Sequence, residues 1–260
     1  MEIVILPGRT EIGMMAADVI ESLLDRKPDA VLGLATGSSP LPIYNELVRR
    51  YRSGVLSFAE AKAFTLDEYI GLPDQHPELY REVIRREFTR HVDFAEDKVH
   101  GPDGFGVDLS GACNSYEDQI RAAGGVDLQI LGIGTDGHIG FNEPGSSLGS
   151  RTRIKTLTEQ TRRDNARFFD SLDSVPKHVL TQGLGTIMDS RHILLTARGL
   201  NKAEAVRELA EGAVTALCPA SVLQLHPHVT VFLDEAAASM LALADYYRHS
   251  FQHKPLWQGL

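Results

Sequence analysis

The sequence predicts an α/β fold: a single domain over residues 1–260 built on one Rossmann-like, mainly parallel sheet, with helices on both faces and a lid segment. Two observations carry this expectation. Short apolar runs of strand length alternate with amphipathic stretches of helical period, the order that crossover connections turn into a parallel sheet. No internal repeat, low-complexity tract or Pro/Ser-rich linker marks a boundary within the 260 residues.

Taken in order, Glu2 to Leu6 is the first strand. Ile12, Met15, Ala16, Val19, Ile20 and Leu23 then recur at three and four residues and form one buried helix face. Val31 to Ala35 is the next strand. It runs into Ala35-Thr36-Gly37-Ser38-Ser39-Pro40, where Ser39 is placed as the cap of a helix and Pro40 as its first residue. Ile43, Leu47, Val48 and Tyr51 are the apolar face of that helix. Ala61 to Leu66 is a strand followed directly by Asp67, and Glu68 points the other way if the extended geometry continues. Gly101 to Gly111, with four glycines and a proline beside Phe105, Val107 and Leu109, reads as a packed surface loop. Asp127 to Ile133, His192 to Thr196 and Val229 to Leu233 are the remaining strands, and Ser146 to Asp173 breaks the rhythm as a lid candidate, residues 146–173.

Bulk properties exclude several classes. An apolar content of 43% in 260 residues suffices for a substantial core, and a net charge of −9 argues against a nucleic-acid partner. No apolar run reaches membrane-spanning length and Met1-Glu2-Ile3-Val4-Ile5 enters a strand without a basic leader, so no membrane partner and a cytoplasmic location are expected. Cys113 and Cys218 make no disulfide framework or C-x-x-C pair. His226 and His228 are split by Pro227, and no H-x-x-x-H face falls on a predicted helix, so no metal is expected. Within this acidic chain, six basic residues (Arg151, Arg153, Lys155, Arg162, Arg163, Arg167) stand against two acidic ones (Glu159, Asp164) over 151–167, a patch able to focus a small anion.

The chemistry concentrates in Gly132 to Gly145, which carries Asp136, His138 and Glu143 directly after a strand. One carboxylate can hold an imidazole in one tautomer while another tunes its basicity, a combination suited to proton transfer near neutral pH. The same segment spells G-x-G-x-x-G, with Glu159 at about the spacing of a ribose-binding acid. That fingerprint requires its last glycine to open a helix, which Gly140, Pro144 and Gly145 oppose. The Thr36–Ser39 turn offers backbone N–H groups and hydroxyls to an anion but lacks the lysine of a nucleoside-triphosphate loop, so a sugar phosphate fits it better than ATP. A histidine that merely caps a strand end and a plain capped turn are the structural alternatives.

The string Gly-Thr-Asp-Gly-His-Ile-Gly-Phe-Asn-Glu-Pro-Gly-Ser-Ser-Leu-Gly-Ser-Arg-Thr-Arg, ending at Arg153, resembles the signature of glucosamine-6-phosphate deaminases, the glucosamine/galactosamine-6-phosphate isomerase family. Thr65-Leu66-Asp67-Glu68-Tyr69 and Leu223-Gln224-Leu225-His226-Pro227 resemble two further blocks of it, and the similarity runs from about Val31 to Glu235. The related 6-phosphogluconolactonases share the Asp-Gly-His core without the Phe-Asn-Glu-Pro continuation.

The resemblance implies an enzyme of amino-sugar catabolism that converts glucosamine 6-phosphate and water to fructose 6-phosphate and ammonia with no cofactor. It implies Asp67 as the base at C-2, and His138 as the ring-opening group set by Asp136 and Glu143. Thr36, Gly37, Ser38, Ser39, Arg167 and Lys202 would bind the phosphate. Ser146, Ser147, Arg153, Lys155 and Thr156 match a second site, between subunits, for the activator N-acetylglucosamine 6-phosphate. Members range from monomers to hexamers. A phosphogluconolactonase-type hydrolase and a non-catalytic sugar-phosphate sensor are the competing readings, and no added DNA-binding segment supports the sensor.

Overall fold

The protein, seen as a computed structural model, is described over residues 1–260 apart from the side chain of Leu256. Its elements are β1 (Glu2–Leu6), α1 (Arg9–Arg26), β2 (Val31–Leu34), α2 (Leu41–Arg52), β3 (Lys62–Thr65), β4 (Asp67–Tyr69), α3 (Tyr80–Glu87), β5 (Val99–His100) and α4 (Leu109–Ala122). There follow β6 (Leu128–Leu131), β7 (Arg153–Thr156), α5 (Glu159–Asn165), β8 (His178–Thr181), α6 (Leu184–Met188), β9 (His192–Ala197), α7 (Ala203–Glu211), β10 (Val229–Asp234) and α8 (Ala244–Gln252), with short 3-10 turns between several of them.

Seven strands form one parallel sheet in the order β1-β10-β9-β6-β2-β3-β5. The predicted apolar runs are buried along both faces, as strands covered by helices on each side require. One face packs Leu32, Leu34 and Ile130 against Ile12, Ala16 and Ile20 of α1 and Ile43 and Leu47 of α2. The other packs Ile193, Leu195 and Val231 against Ile187 of α6 and Val206 and Leu209 of α7, while Val31 and Phe64 meet Tyr116 of α4. The single-domain α/β expectation holds.

Three local expectations do not. Gly101 to Gly111 is not a packed loop: Val107 is fully exposed, Phe105 is exposed, and Leu109 already belongs to α4, capped by Asp108 accepting from Gly111 N at 2.8 Å. Ser39 caps nothing. Pro40 is the N-cap of α2 and Pro42 sits in its first turn, so the helix starts on proline geometry rather than on a hydroxyl. His249 and His253 do have H-x-x-x-H spacing at the end of α8, with rings stacked 4.1 Å apart, but no third donor joins them among the described residues.

The 146–173 segment is also more structured than a lid. A second, antiparallel sheet, β4-β8-β7, takes up Arg153–Thr156. Buried Glu117 anchors the approach to it, accepting from Thr152 N at 2.9 Å and from the hydroxyls of Thr152 and Thr186 at 2.5 and 2.6 Å. Gly183 lies so close that a β-carbon there would come 2.1 Å from Ser150 O. What overlies the crevice is residues 157–177, an excursion closed at its base by Leu157 N donating to Lys177 O at 2.9 Å.

Candidate active site

The chain reverses its winding between β2 and β6: β3 and β5 extend the sheet on one side of β2, while β9, β10 and β1 extend it on the other side of β6. Loops leaving the carboxyl ends of two such strands must diverge, and the crevice between them is where α/β sheets bind ligands. Here those loops are Ala35–Ser39 and Gly132–Gly145. Both line one cavity of about 500 Å³, joined by Leu66 and Asp67, by Asn201 and Lys202, and by Gln160, Thr161, Asp164, Asn165 and Arg167 from the 157–177 excursion.

No helix opens at Gly137, so the dinucleotide fingerprint lacks its pyrophosphate-binding element. The loop folds back on itself instead, with Gly134 N donating to His138 O and Gly137 N to Gly134 O. His138 Nδ1 comes 2.7 Å from Asp136 Oδ1 and 3.5 Å from Glu143 Oε2. Burial works against the imidazolium, but pairing with the two carboxylates outweighs it and pushes the histidine up to about 9. Asp136, despite burial, is held well below the usual carboxylate range by His138. Donor atoms of the three residues lie within 4.8 Å of one another. With its Nδ1 directed at Asp136, the imidazole gives the trio the arrangement of an ion-paired acid–base unit.

A second layer braces this loop. Ala220 N donates to Gly137 O at 2.9 Å and Gly145 N to Ala216 O at 2.7 Å, so residues 216–220 grip the loop at both ends. Gly137 has φ +81°, and a β-carbon there would meet Cys218 Sγ at 2.6 Å. Gly137→Ala is expected to lower kcat about tenfold through displacement of His138, beside a backbone cost of roughly 1–2 kcal/mol. Adding Cys218→Ala should restore part of the rate. Steady-state kinetics of the single and double variants check this.

Asp67 and Glu68 face opposite ways, as expected of β4. Glu68 is buried and accepts from the N–H groups of Tyr69, Tyr80 and Arg81 at 2.9, 2.8 and 3.1 Å, which fastens the start of α3. Asp67 is also buried, yet its carboxylate accepts no hydrogen bond among the described residues and lines the cavity. Burial first, and then the charge of Glu68, raise it well above the usual carboxylate range, with His138 acting in the opposite sense.

Across the cavity, Gly37 has φ +90° and the Thr36–Ser39 turn is braced from β9, with Ser39 O accepting from Thr196 Oγ1 and Ser38 O from Arg198 Nη2. Lys202 is half-buried, and burial lowers its ammonium. Arg167 is exposed, its guanidinium 4.7 Å from the Phe168 ring centre. Of the six basic residues in 151–167, only Arg167 lines the cavity; Arg151 is engaged by Glu117 and Asp189, Arg163 by Glu159, and Arg162 by the Leu172 and Val175 carbonyls. The remaining two, Arg153 and Lys155, share the half-buried face of β7 without a close ion pair among the described residues, Lys155 within the field of Glu143, whereas Thr156 faces the other way, its hydroxyl 3.3 Å from His178 Nδ1. Ser146 is buried with its hydroxyl unpartnered, and Ser147 is exposed.

Sequence reasoning missed Thr161, whose hydroxyl donates to Glu143 Oε1 at 2.6 Å, and Asn165, which donates to Tyr69 OH at 3.0 Å. Neither carries a local signal, because each partner lies on a different element.

A parallel sheet with an acid–base unit on one side of its switch-point crevice and cationic groups on the other defines a class: an α/β protein built for proton transfer on a small anionic substrate. The sequence profile of glucosamine-6-phosphate isomerases/6-phosphogluconolactonase matches residues 10–232, and the chain belongs to that family. A glucosamine-6-phosphate deaminase of Arthrobacter sp. (strain FB24) is 68% identical over 260 residues, the whole of both chains. The solved structure of a monomeric glucosamine-6-phosphate deaminase superposes with a TM-score of 0.90 at 45% identity, over 92% of this chain and 100% of that one. A 6-phosphogluconolactonase from Trypanosoma brucei shares the fold, with a TM-score of 0.74 at 18% identity over 93% and 98% of the two chains.

Proposed function

We propose that the cavity converts glucosamine 6-phosphate and water to fructose 6-phosphate and ammonia. What carries the reading is the convergence on one cavity of a buried carboxylate without hydrogen-bond donors, Asp67, a carboxylate-paired imidazole, His138, and the Thr36–Ser39 turn with Arg167 and Lys202. Near neutral pH His138 is favoured in its imidazolium form by pairing with Asp136 and Glu143. It gives a proton to the ring oxygen as the pyranose opens and takes one back from the 1-hydroxyl. Asp67 removes the C-2 proton, leaving an enolamine, and returns a proton to C-1, which makes a ketose imine. Water adds at C-2 and ammonia departs. The burial that raises Asp67 also makes its carboxylate a stronger base for this step.

The phosphate is held by Thr36, Gly37, Ser38, Ser39, Lys202 and Arg167, and the 157–177 excursion closes over it as a lid that shields the enolamine from bulk solvent until the imine takes up its one water. Such charged substrates are retained in the cytoplasm, and no helix among the described residues is long and apolar enough to cross a membrane.

The test is release of ammonia from glucosamine 6-phosphate, galactosamine 6-phosphate and unphosphorylated glucosamine, beside hydrolysis of 6-phosphogluconolactone. Ammonia and fructose 6-phosphate in equal amounts, with no lactone hydrolysis, is the expected result. Lactone hydrolysis alone would move the chain to the lactonase branch, and inactivity on every substrate would leave the sensor reading.

A second reading concerns regulation, and what favours it is the pair of half-buried cations, Arg153 and Lys155, that form no close ion pair among the described residues. Together with Ser146, Ser147 and the neighbouring strand end at Thr156 they would take the phosphate of N-acetylglucosamine 6-phosphate, completed across a subunit interface in an assembly as large as a hexamer. A sigmoidal rate curve made hyperbolic by that compound, in a protein that sediments as an oligomer, is expected. A monomer with identical hyperbolic curves would leave Arg153 and Lys155 a structural role.

A further inference from the structure

The first turn of α5 is tied to the acid–base unit by a chain of hydroxyls. Thr158 caps the helix by accepting from Thr161 N at 3.1 Å, and its own hydroxyl donates to Thr161 Oγ1 at 2.9 Å. Thr161 Oγ1 spends its single proton on Glu143 Oε1 at 2.6 Å, a buried contact between residues 18 apart in sequence. The other oxygen, Oε2, has no hydrogen-bond partner among the described residues and lies 3.5 Å from His138 Nδ1. A carboxylate is planar, so holding one oxygen directs the other. The angle at which Glu143 meets the imidazole is therefore set from α5, part of the excursion over the cavity, rather than from the loop that carries Glu143. Arg167 stands on the 3-10 turn (Ala166–Phe168) that continues directly from α5.

We propose that Thr161 is a positioning residue that transmits the seating of the 157–177 excursion on the substrate phosphate to the orientation of Glu143 against His138. The proposal rests on the reading of Arg167 as a phosphate ligand. Its consequence is that the phosphate contributes to kcat as well as to KM, because an excursion that is not seated leaves the imidazole wrongly set for ring opening. Other groups face the same imidazole. Asp136 does so from its own loop and Asp67 from β4, Lys202 acts on Asp136 from the turn before α7, and the Cys218 thiol beneath the loop is raised by burial. Glu143 itself faces the charge of Lys155 on β7 and the Asp136 carboxyl, but Thr161 is the one hydrogen-bond donor to its Oε1 among the described residues, so a change confined to Thr161 leaves the other groups in place.

The experiment compares Thr161→Val, which loses the hydroxyl, with Thr161→Ser, which keeps it. Without its donor, buried Glu143 turns toward the nearest remaining one, His138 Nδ1, and holds the imidazolium more tightly. Thr161→Val should lower kcat for glucosamine 6-phosphate about tenfold with KM within about twofold, a size fitting a displaced acid–base group. It should also move the alkaline limb of kcat/KM to higher pH, and Thr161→Ser should restore both. A valine variant with the parental kcat and profile overturns the proposal. So does a loss of rate that serine fails to restore while the pH profile stays put, since that is a packing defect. The phosphate arm is read separately: Arg167→Ala should raise KM, and in the double variant with Thr161→Val the two kcat losses should be less than multiplicative. Fully multiplicative losses overturn the transmission. An unchanged KM in Arg167→Ala overturns the phosphate reading and the transmission with it, while the limb shift still judges the Thr161–Glu143 link by itself.

Discussion

Asp67→Asn is expected to lower kcat by about a hundredfold or more with little change in KM, because an amide cannot take the C-2 proton yet fills the same space. The substitution is gentle to the fold. Asp67 makes no side-chain hydrogen bond among the described residues, and its burial disfavours the charge that asparagine removes. The measurement that separates a base from a bystander is exchange of the C-2 hydrogen with deuterated solvent, and exchange at the parental rate in the variant would remove Asp67 from the role. The pH profile of the parental protein carries the same information. Since burial raises Asp67 and carboxylate pairing raises His138 to about 9, the acid limb of kcat/KM should lie above the ordinary carboxylate range and the alkaline limb near 9. Activity grows as Asp67 loses its proton and falls as the imidazolium loses its own. In Asp67→Asn, whatever rate is left should have no acid limb.

Removing the cations opposite is the other large effect. Lys202→Ala should cost roughly 2 to 4 kcal/mol in kcat/KM, the range for deleting one partner of a partly buried charge-assisted contact. Arg167 is exposed and stacked on Phe168, so solvent screens it and Arg167→Ala should fall at or below the lower end of that range. The double variant should lose most of its preference for glucosamine 6-phosphate over glucosamine, measured as the ratio of kcat/KM values. Full retention of that ratio would place the phosphate elsewhere.

Legibility followed the range of the interactions. The long parallel strands and α1 were readable because each buries a continuous run or a 3.6-residue stripe against the sheet, a pattern carried by neighbouring residues. The second sheet was not. β4 has three residues, all buried and without alternation, and β7 reads Arg-Ile-Lys-Thr, which looks like a charged surface until β8 pairs with it. In Gly101 to Gly111 the apolar residues predict packing, and nothing local reveals that Val107 meets solvent.

By itself the sequence determined the α/β class, the strand ends that carry the candidate site, and the residue types there: Asp67 after one strand, the Asp136–His138–Glu143 loop after another, and the Thr36–Ser39 turn after a third. Each of these depends on contiguous residues, and the glycines and prolines around them restrict the backbone locally. Only the tertiary structure decided that the three loops share one cavity, which follows from the change of winding between β2 and β6. It also decided the surroundings of the titratable groups. Asp67 is raised because the assembled core excludes water from it and Glu68 lies beside it, and Glu143 is aimed at His138 because Thr161, 18 residues on, holds its other oxygen. Desolvation and hydrogen bonds between separate elements exist only once the chain has closed on itself, so no window of sequence contains them.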